Sequence, residues 1–304
     1  MDSFIAMNIA ILGAGAIGQL LAHQLDAAGN TPFFLVKPEQ RFLGAPFTLQ
    51  TQTGTQARHF DTFSLADELQ PKIDLLIVTL KAYQVRRALT RWQAKLSPNC
   101  HILLLHNGIG THLEIAPILG QHGLSLGTTS QAALKLGPHS IKQTGNGTTQ
   151  FGHYAGPTMA KELQQLLLKA LPDSCVAEHI LTALWHKLAI NAVINPLTAI
   201  EDIPNGALAA EKYQHTISAV LTELMQVANL EGIELDSAFV SERVKQVISL
   251  TADNYSSMHQ DVAFQRPTEI DYINGYLVQR AHAHGITLFY NQQLLTKVRQ
   301  LSQH

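Results

Sequence analysis

A strand-like run that ends in glycine and passes straight into a helical run constrains this chain more than any other feature. The stretch is NIAILGAGAIGQLLAHQLDAAG, and it contains G-x-G-x-x-G as Gly13, Gly15 and Gly18. Each glycine has a separate physical duty. Gly13 permits a tight turn, Gly15 lets a pyrophosphate approach the backbone, and Gly18 lets helix and strand pack closely. The N-terminus of the helix, through Ala14, Ala16 and Ile17, then offers free N–H groups and partial positive charge to phosphate. The motif alone is weak. Its place between a strand and a helix at the head of a βαβ pattern makes dinucleotide binding the expectation, against the alternative of a purely structural glycine turn.

The first half continues that alternation. FFLV is a second strand, and FTLQT and ARHF flank TGTQ as a hairpin. IDLLIVTL and HILLLH are apolar runs suited to strands buried on both faces of a parallel sheet, with YQVRRALTRWQAKL as a crossover helix between them. LSLGTTSQAALKLG, HSIKQTG and TTQFGHY read as extended pieces that enlarge the sheet in antiparallel fashion. Beyond about residue 178 helical periods take over, at 180–195, 207–230, 237–253 and 268–284. The expectation is a doubly wound, mostly parallel α/β domain over 1–178 and an all-α domain over 179–304.

Composition narrows the function. A formal charge of −2 argues against nucleic acid or an anionic membrane as partner. Two cysteines, Cys100 and Cys175, are too few for a disulfide framework and fit a reducing compartment such as the cytoplasm. The opening MDSFIAMN lacks the pattern of a signal peptide, and no run is long enough for a membrane span. The 15 histidines raise the question of a metal, but His282 and His284 stand two apart on a helical period and face different ways, so none is expected.

The second strand ends FFLVKP, which puts Lys37 where an NAD site usually has a carboxylate for the ribose. A cation there suits a 2′-phosphate and favours NADP. The alternative is that Lys37 is a solvated surface lysine and Glu39 holds the ribose. Two further strand ends carry Lys81 and Asn107, either as cofactor or substrate contacts or as caps of the helices that follow.

WHKLAINAVINP, residues 185–196, places Lys187, Asn191 and Asn195 every fourth residue on one helical face. Paired with a dinucleotide domain, such a face suits a carbonyl reductase with its substrate in the cleft between two domains. A desolvated lysine donates a proton readily, and amides hold carboxylate or hydroxyl groups. Equally, Lys187 can snorkel to water while the asparagines satisfy backbone. Pro196 predicts that the helix ends or kinks at Asn195. Glu269 falls in the first turn of a helix expected from Pro267–Thr268, where a carboxylate also serves the helix dipole. Ser257 precedes that turn as a cap or ligand contact.

Eight segments in register, ILGAGAIGQL, LLIVTLKAYQV, LLLHNGIGT, GTTSQAA, LWHKLAINAVINPLTAI, PNG, SSMHQD and TEIDYINGYL, give the chain from Met7 onward a resemblance to the ketopantoate reductase (2-dehydropantoate 2-reductase) family. The resemblance implies an N-terminal Rossmann domain with a helical C-terminal domain, and NADPH-dependent reduction of ketopantoate to (R)-pantoate. It implies Lys187 as general acid and Glu269 as the group that orients substrate. Asn107, Asn191, Asn195, Asn205 and Ser257 would contact substrate. Gly13 to Gly18, Lys37, Lys81, Asn107 and Ala133 would contact cofactor. Lys37 departs from the arginine expected at its position and loses the bidentate fork. His259 stands where an apolar residue is expected, and MDSFIA precedes the expected start. Two other readings remain: a 2-oxoacid reductase for another acyl chain, and a non-catalytic NADP-binding sensor. The protein is expected to be a monomer or homodimer.

Overall fold

Short apolar runs bounded by glycine and proline set the first half of the fold. The computed structural model describes residues 7–40, 44–68 and 71–302, so the MDSFIA opening lies outside the described residues. In chain order the elements begin with β1 (Ile9–Leu12), α1 (Ala16–Ala27), β2 (Phe33–Leu35), β3 (Phe47–Thr51), β4 (Gly54–Arg58) and β5 (Thr62–Phe63). There follow β6 (Leu75–Val78), α2 (Ala82–Trp92), β7 (His101–Leu105), α3 (Thr111–Ile115) and β8 (Leu124–Thr129). Then come β9 (Ala132–Gly137), β10 (Ser140–Gly145), β11 (Thr149–Ala155), α4 (Lys161–Ala170) and β12 (Ser174–Val176). The rest is helical: α5 (Ile180–Glu201), α6 (Glu211–Leu230), α7 (Ser237–Leu250), α8 (Ser257–Ala263), α9 (Asn274–Ala283) and α10 (Phe289–Leu301).

The main sheet has the order β12-β11-β8-β7-β6-β1-β2-β5 and is parallel throughout except between β8 and β11. Strands β1, β6 and β7 are buried along their whole length, which is why they read as continuous apolar runs, and the equally buried β8 (LSLGTT) joins β7 in parallel, not antiparallel as expected. Their core includes Ile9, Ile11, Phe34, Ile77, Leu103 and Phe151. Each such side chain contributes about 1.5–3 kcal/mol when fully buried. The chain leaves β1 toward β2 and β5 on one side, then restarts at β6 and moves the other way. The switch point therefore lies between β1 and β6, where ligands of such sheets bind.

Two extended segments depart from expectation. AALKLG and SIKQTG do not enlarge the main sheet. They form, with the expected hairpin of β3 and β4, a separate four-stranded sheet of order β4-β3-β10-β9. The physical cause is one-sided burial. Leu49 and Ile141 pack on Leu20 of α1, while most of β4 and β9 stays exposed, so these strands lack the two apolar faces an inner strand needs.

The chain divides into two compact units, residues 1–106 with 111–180, and residues 107–110 with 181–304. The second unit is all helix and turn, with a core of α5, α6, α9 and α10 residues that includes Leu188, Val220, Leu224, Leu277 and Val298. Trp185 meets Tyr276 edge-on at 6.0 Å. Pro196 neither ends nor breaks its helix: α5 runs on to Glu201. The reason is local compensation. Proline cannot donate to the carbonyl four residues back, at Ala192, and the Asn274 side-chain amide donates to that oxygen instead, at 3.0 Å. The helix expected from Pro267 is also later. Residues Ile270–Tyr272 form a single 3-10 turn, and α9 starts only at Asn274. The last helix, α10, lies beyond the helical periods of the sequence. Among the described residues no helix is long and apolar enough to cross a membrane.

Candidate active site

The glycine loop is held from two sides. Thr79, just past β6, donates its hydroxyl to the Gly13 carbonyl at 2.8 Å. Gln19, fully buried in α1, donates its amide to Ala14 O at 3.0 Å and to Pro138 O at 2.9 Å. Gly13 adopts φ of 122°, a conformation that favours glycine. A β-carbon on Gly18 would stand 2.0 Å from Gly13 O, so only hydrogen fits there. A β-carbon on Gly15 would meet nothing within 4 Å. Gly15 is the N-cap of α1, makes no side-chain cap bond, and the first turn carries no acidic residue. The N–H groups of that turn are thus open to an anion, and the helix end supplies partial positive charge. This cradle fits a dinucleotide pyrophosphate.

The other expected cofactor residues are spread along the sheet ends. Lys37 is exposed two residues beyond β2, after buried Val36, and Glu39 is exposed two residues later. Lys81 takes the N-cap position of α2 without a side-chain cap bond. Ala133 lies on β9 and packs against the Leu20, Leu49 and Ile141 cluster. Asn107 is partly buried, and helix α3 starts only at Thr111, so Asn107 is not its cap. The four residues from Asn107 to Gly110 belong to the second compact unit. Ile109 N donates to Tyr272 O at 2.8 Å, and a β-carbon on Gly108 would come within 2.6 Å of that same oxygen.

In the second unit α5 carries Lys187, Asn191 and Asn195 at successive turns of one helix. Lys187 and Asn191 are partly buried, and Asn195 is buried. Burial pushes the Lys187 ammonium down from 10.5 to about 8, against the opposing pull of the Glu269 carboxylate. Glu269 is only 4% exposed and stands at the N-terminal end of the Ile270–Tyr272 turn, not inside a helix. A lysine brought down to about 8 beside a buried carboxylate is charged at physiological pH yet gives up its proton readily.

Asn205 opens a 3-10 turn after Pro204. Its Nδ2 donates to Thr251 Oγ1 at 2.9 Å, while its buried Oδ1 has no partner. Ser257 is exposed and is the first residue of α8. The cap is its neighbour, Ser256, whose hydroxyl accepts from His259 N at 3.0 Å and lies 2.7 Å from Thr198 Oγ1 on α5. His259 Nε2 lies 2.6 Å from Asp202 Oδ1, so the residue out of pattern in SSMHQD has a polar partner just past α5. Among the described residues no group of three His, Cys, Asp or Glu is placed to hold a metal ion.

Several supporting residues escaped the sequence reading: Thr79, Gln19, Ser256 and Asn274. Gln19 left a usable signal, a polar residue within the apolar face of AIGQLLAHQ. Ser256 stands three residues before His259, the spacing of an N-cap. Thr79 and Asn274 act on backbone carbonyls distant in sequence, and no local pattern marks such partners.

Two family models match in tandem: "Ketopantoate reductase PanE/ApbA" over residues 9–156 and "Ketopantoate reductase PanE/ApbA C terminal" over residues 179–302. The chain belongs to the ketopantoate reductase family. The 2-dehydropantoate 2-reductase of Vibrio cholerae is 36% identical over 298 residues, covering 98% of each chain. That of Escherichia coli O157:H7 is 37% identical, covering 96% of this chain and 94% of its own. Among solved structures, a D-mandelate dehydrogenase with NADH and anilino(oxo)acetate superposes with a TM-score of 0.90 at 25% identity, covering 97% of this chain and 98% of that one. A ketopantoate reductase from Ralstonia eutropha superposes at 0.88, also at 25% identity and the same coverage. This member of the family is therefore an oxidoreductase.

Proposed function

We propose that the protein reduces the C2 ketone of 2-dehydropantoate to the hydroxyl of (R)-pantoate, using NADPH, in pantothenate and coenzyme A synthesis in the cytoplasm. The observation that carries this reading is Lys187, a lysine whose proton is held near pH 8 by burial and a buried glutamate. When bound, the reduced nicotinamide supplies the hydride. Lys187 donates its proton to the substrate oxygen as negative charge develops there, which spares a free alkoxide. Glu269 keeps the ammonium charged and accepts from the substrate's hydroxyl end. Asn191, Asn195, Asn205, Ser257 and Asn107 orient the carboxylate and hydroxyl groups. The unpartnered Oδ1 of Asn205 is an acceptor awaiting a hydroxyl.

Residues 1–178 form the dinucleotide-binding domain and residues 179–304 the catalytic one. Gly13, Ala14, Gly15, Ala16, Ile17 and Gly18 take the pyrophosphate. Lys37 takes the 2′-phosphate. Lys81, Asn107 and Ala133 complete the cofactor contacts. The working form is a monomer or homodimer.

A second reading has support from one observation: the structure with the TM-score of 0.90 is a D-mandelate dehydrogenase with NADH. In that reading the chain reduces a bulkier 2-oxoacid, with NADH. One assay separates the two. Loss of nicotinamide absorbance is followed with ketopantoate and with aryl or branched 2-oxoacids, each with NADPH and NADH. Ketopantoate-dependent oxidation favouring NADPH is expected. Preference for an aryl 2-oxoacid with NADH overturns it in favour of the second reading. Dinucleotide binding without turnover of any ketone points to a sensor.

A further inference from the structure

Pro196 removes one backbone donor from α5, beyond the segment that bears Lys187, Asn191 and Asn195 and just before Thr198. The carbonyl left without its helical donor is that of Ala192. Asn274, fully buried at the first position of α9, answers it with Nδ2 at 3.0 Å. The same Nδ2 donates to Asn291 Oδ1 at 2.9 Å. Asn291 Nδ2 in turn donates to Glu223 Oε2 at 2.8 Å. The Glu223 carboxylate also accepts the backbone N–H groups of Tyr290 at 2.8 Å and Asn291 at 2.9 Å, so it caps α10 from α6. A single chain of amides thereby joins α5, α9, α10 and α6.

The oxygen of Asn274 has no partner although it is buried. An orphaned acceptor costs stability. The site therefore demands an amide for its two donors and tolerates the loss at the oxygen. Asn274 also lies at the exit of the turn that follows Glu269, so one residue ties the lysine-bearing helix to the glutamate-bearing turn.

We propose that Asn274 is a positioning residue for proton transfer: by satisfying the Ala192 carbonyl it keeps α5 regular across Pro196 and so fixes Lys187 with respect to Glu269. The proposal rests on the reductase reading for its kinetic consequence, but its structural half does not.

The test is a cycle of Asn274→Leu, Pro196→Ala and the double variant. Pro196→Ala returns the missing N–H to the Ala192 carbonyl, which has room for two donors. N274L should lower kcat with ketopantoate at least ~10-fold while leaving KM for NADPH unchanged, since misplacement of a reacting group is costly. P196A alone should stay within ~3-fold of wild type, and the double variant should recover most of the N274L loss. Amide exchange of residues 193–195 and 197, which needs no substrate, should rise in N274L and fall again in the double variant. Full kcat in folded N274L overturns the proposal. So does a slow N274L that P196A fails to rescue, because the amide then acts by another route. If N274L does not fold, Asn274→Ser is run through the same cycle, with the same two outcomes decisive. Failure of the wild type to reduce ketopantoate sinks the substrate reading instead, and the exchange measurement still decides the positioning role.

Discussion

The Glu269 carboxylate, 4% exposed, raises the proton affinity of Lys187 while burial lowers it, and the balance leaves the lysine near 8 instead of 10.5. For a proton donor the sign is plain. The active form is protonated, so kcat should hold below about pH 8 and fall as pH rises through it. Removing the glutamate removes the upward pull. Glu269→Gln should therefore move the alkaline limb to lower pH, besides slowing turnover. A pH series of kcat for both proteins checks this. An alkaline limb that moves up in E269Q would contradict the pairing.

Lys187→Met should cost activity and not stability. General-acid catalysis of this kind contributes roughly 10²–10⁴-fold, so turnover should drop by that order. The lysine's folded pKa is depressed, so between about 8 and 10.5 the unfolded chain binds the proton that the folded one has shed. This group therefore makes stability rise with pH across that window and works against the fold below it. At pH 7 K187M should melt no lower than wild type. A large fall in melting temperature would mean that the lysine is a structural anchor.

Two glycines of the loop should separate folding from binding. Gly15 has extended backbone and open space at its β position. Gly15→Ala should change stability by less than about 0.5 kcal/mol yet weaken dinucleotide binding on the order of tenfold, because the methyl stands where pyrophosphate approaches. Gly18→Ala must push a β-carbon onto Gly13 O at 2.0 Å, and should lose about 1–3 kcal/mol of stability. Calorimetry with titration of NADPH reads both effects. Equal destabilisation by the two substitutions would refute the division of roles.

The strands of the main sheet and the glycine loop were legible because burial on two faces and the demand for glycine are local constraints that composition must obey. The assignment of β9 and β10 to a second sheet was not legible. It depends on which helix face covers them, here Leu20, and that partner is more than a hundred residues away in sequence. The run through Pro196 was hidden for a related reason. A proline reads as a break unless its orphaned carbonyl finds a donor, and the donor is Asn274, 82 residues on. Within the candidate site the face of Lys187, Asn191 and Asn195 followed from spacing alone. The placement of Glu269 in a short turn instead of a helix did not, since apolar residues at 270, 273 and 277 satisfy a helical period either way.

The first unit should be the acid-sensitive one. His23, His101 and His112 all lie in it, each no more than 5% exposed, and burial lowers each from 6.5 to about 4. Both ring nitrogens of His23 lack partners, and its ring meets Phe60 edge-on at 5.3 Å. These groups are neutral in the fold and take up protons when the chain unfolds. Their stability contribution is complete above about pH 6.5 and is lost as pH falls toward 4. Each adds about 1.4 kcal/mol per pH unit to the slope within that window. Denaturant midpoints should thus fall steeply between pH 6.5 and 4, and His23→Leu, which cannot take up a proton, should flatten the slope by about 1.4 kcal/mol per pH unit. The measurement is a set of urea unfolding curves across that range for wild type and H23L. Parallel slopes would show that His23 is not among the groups that make the fold yield to acid.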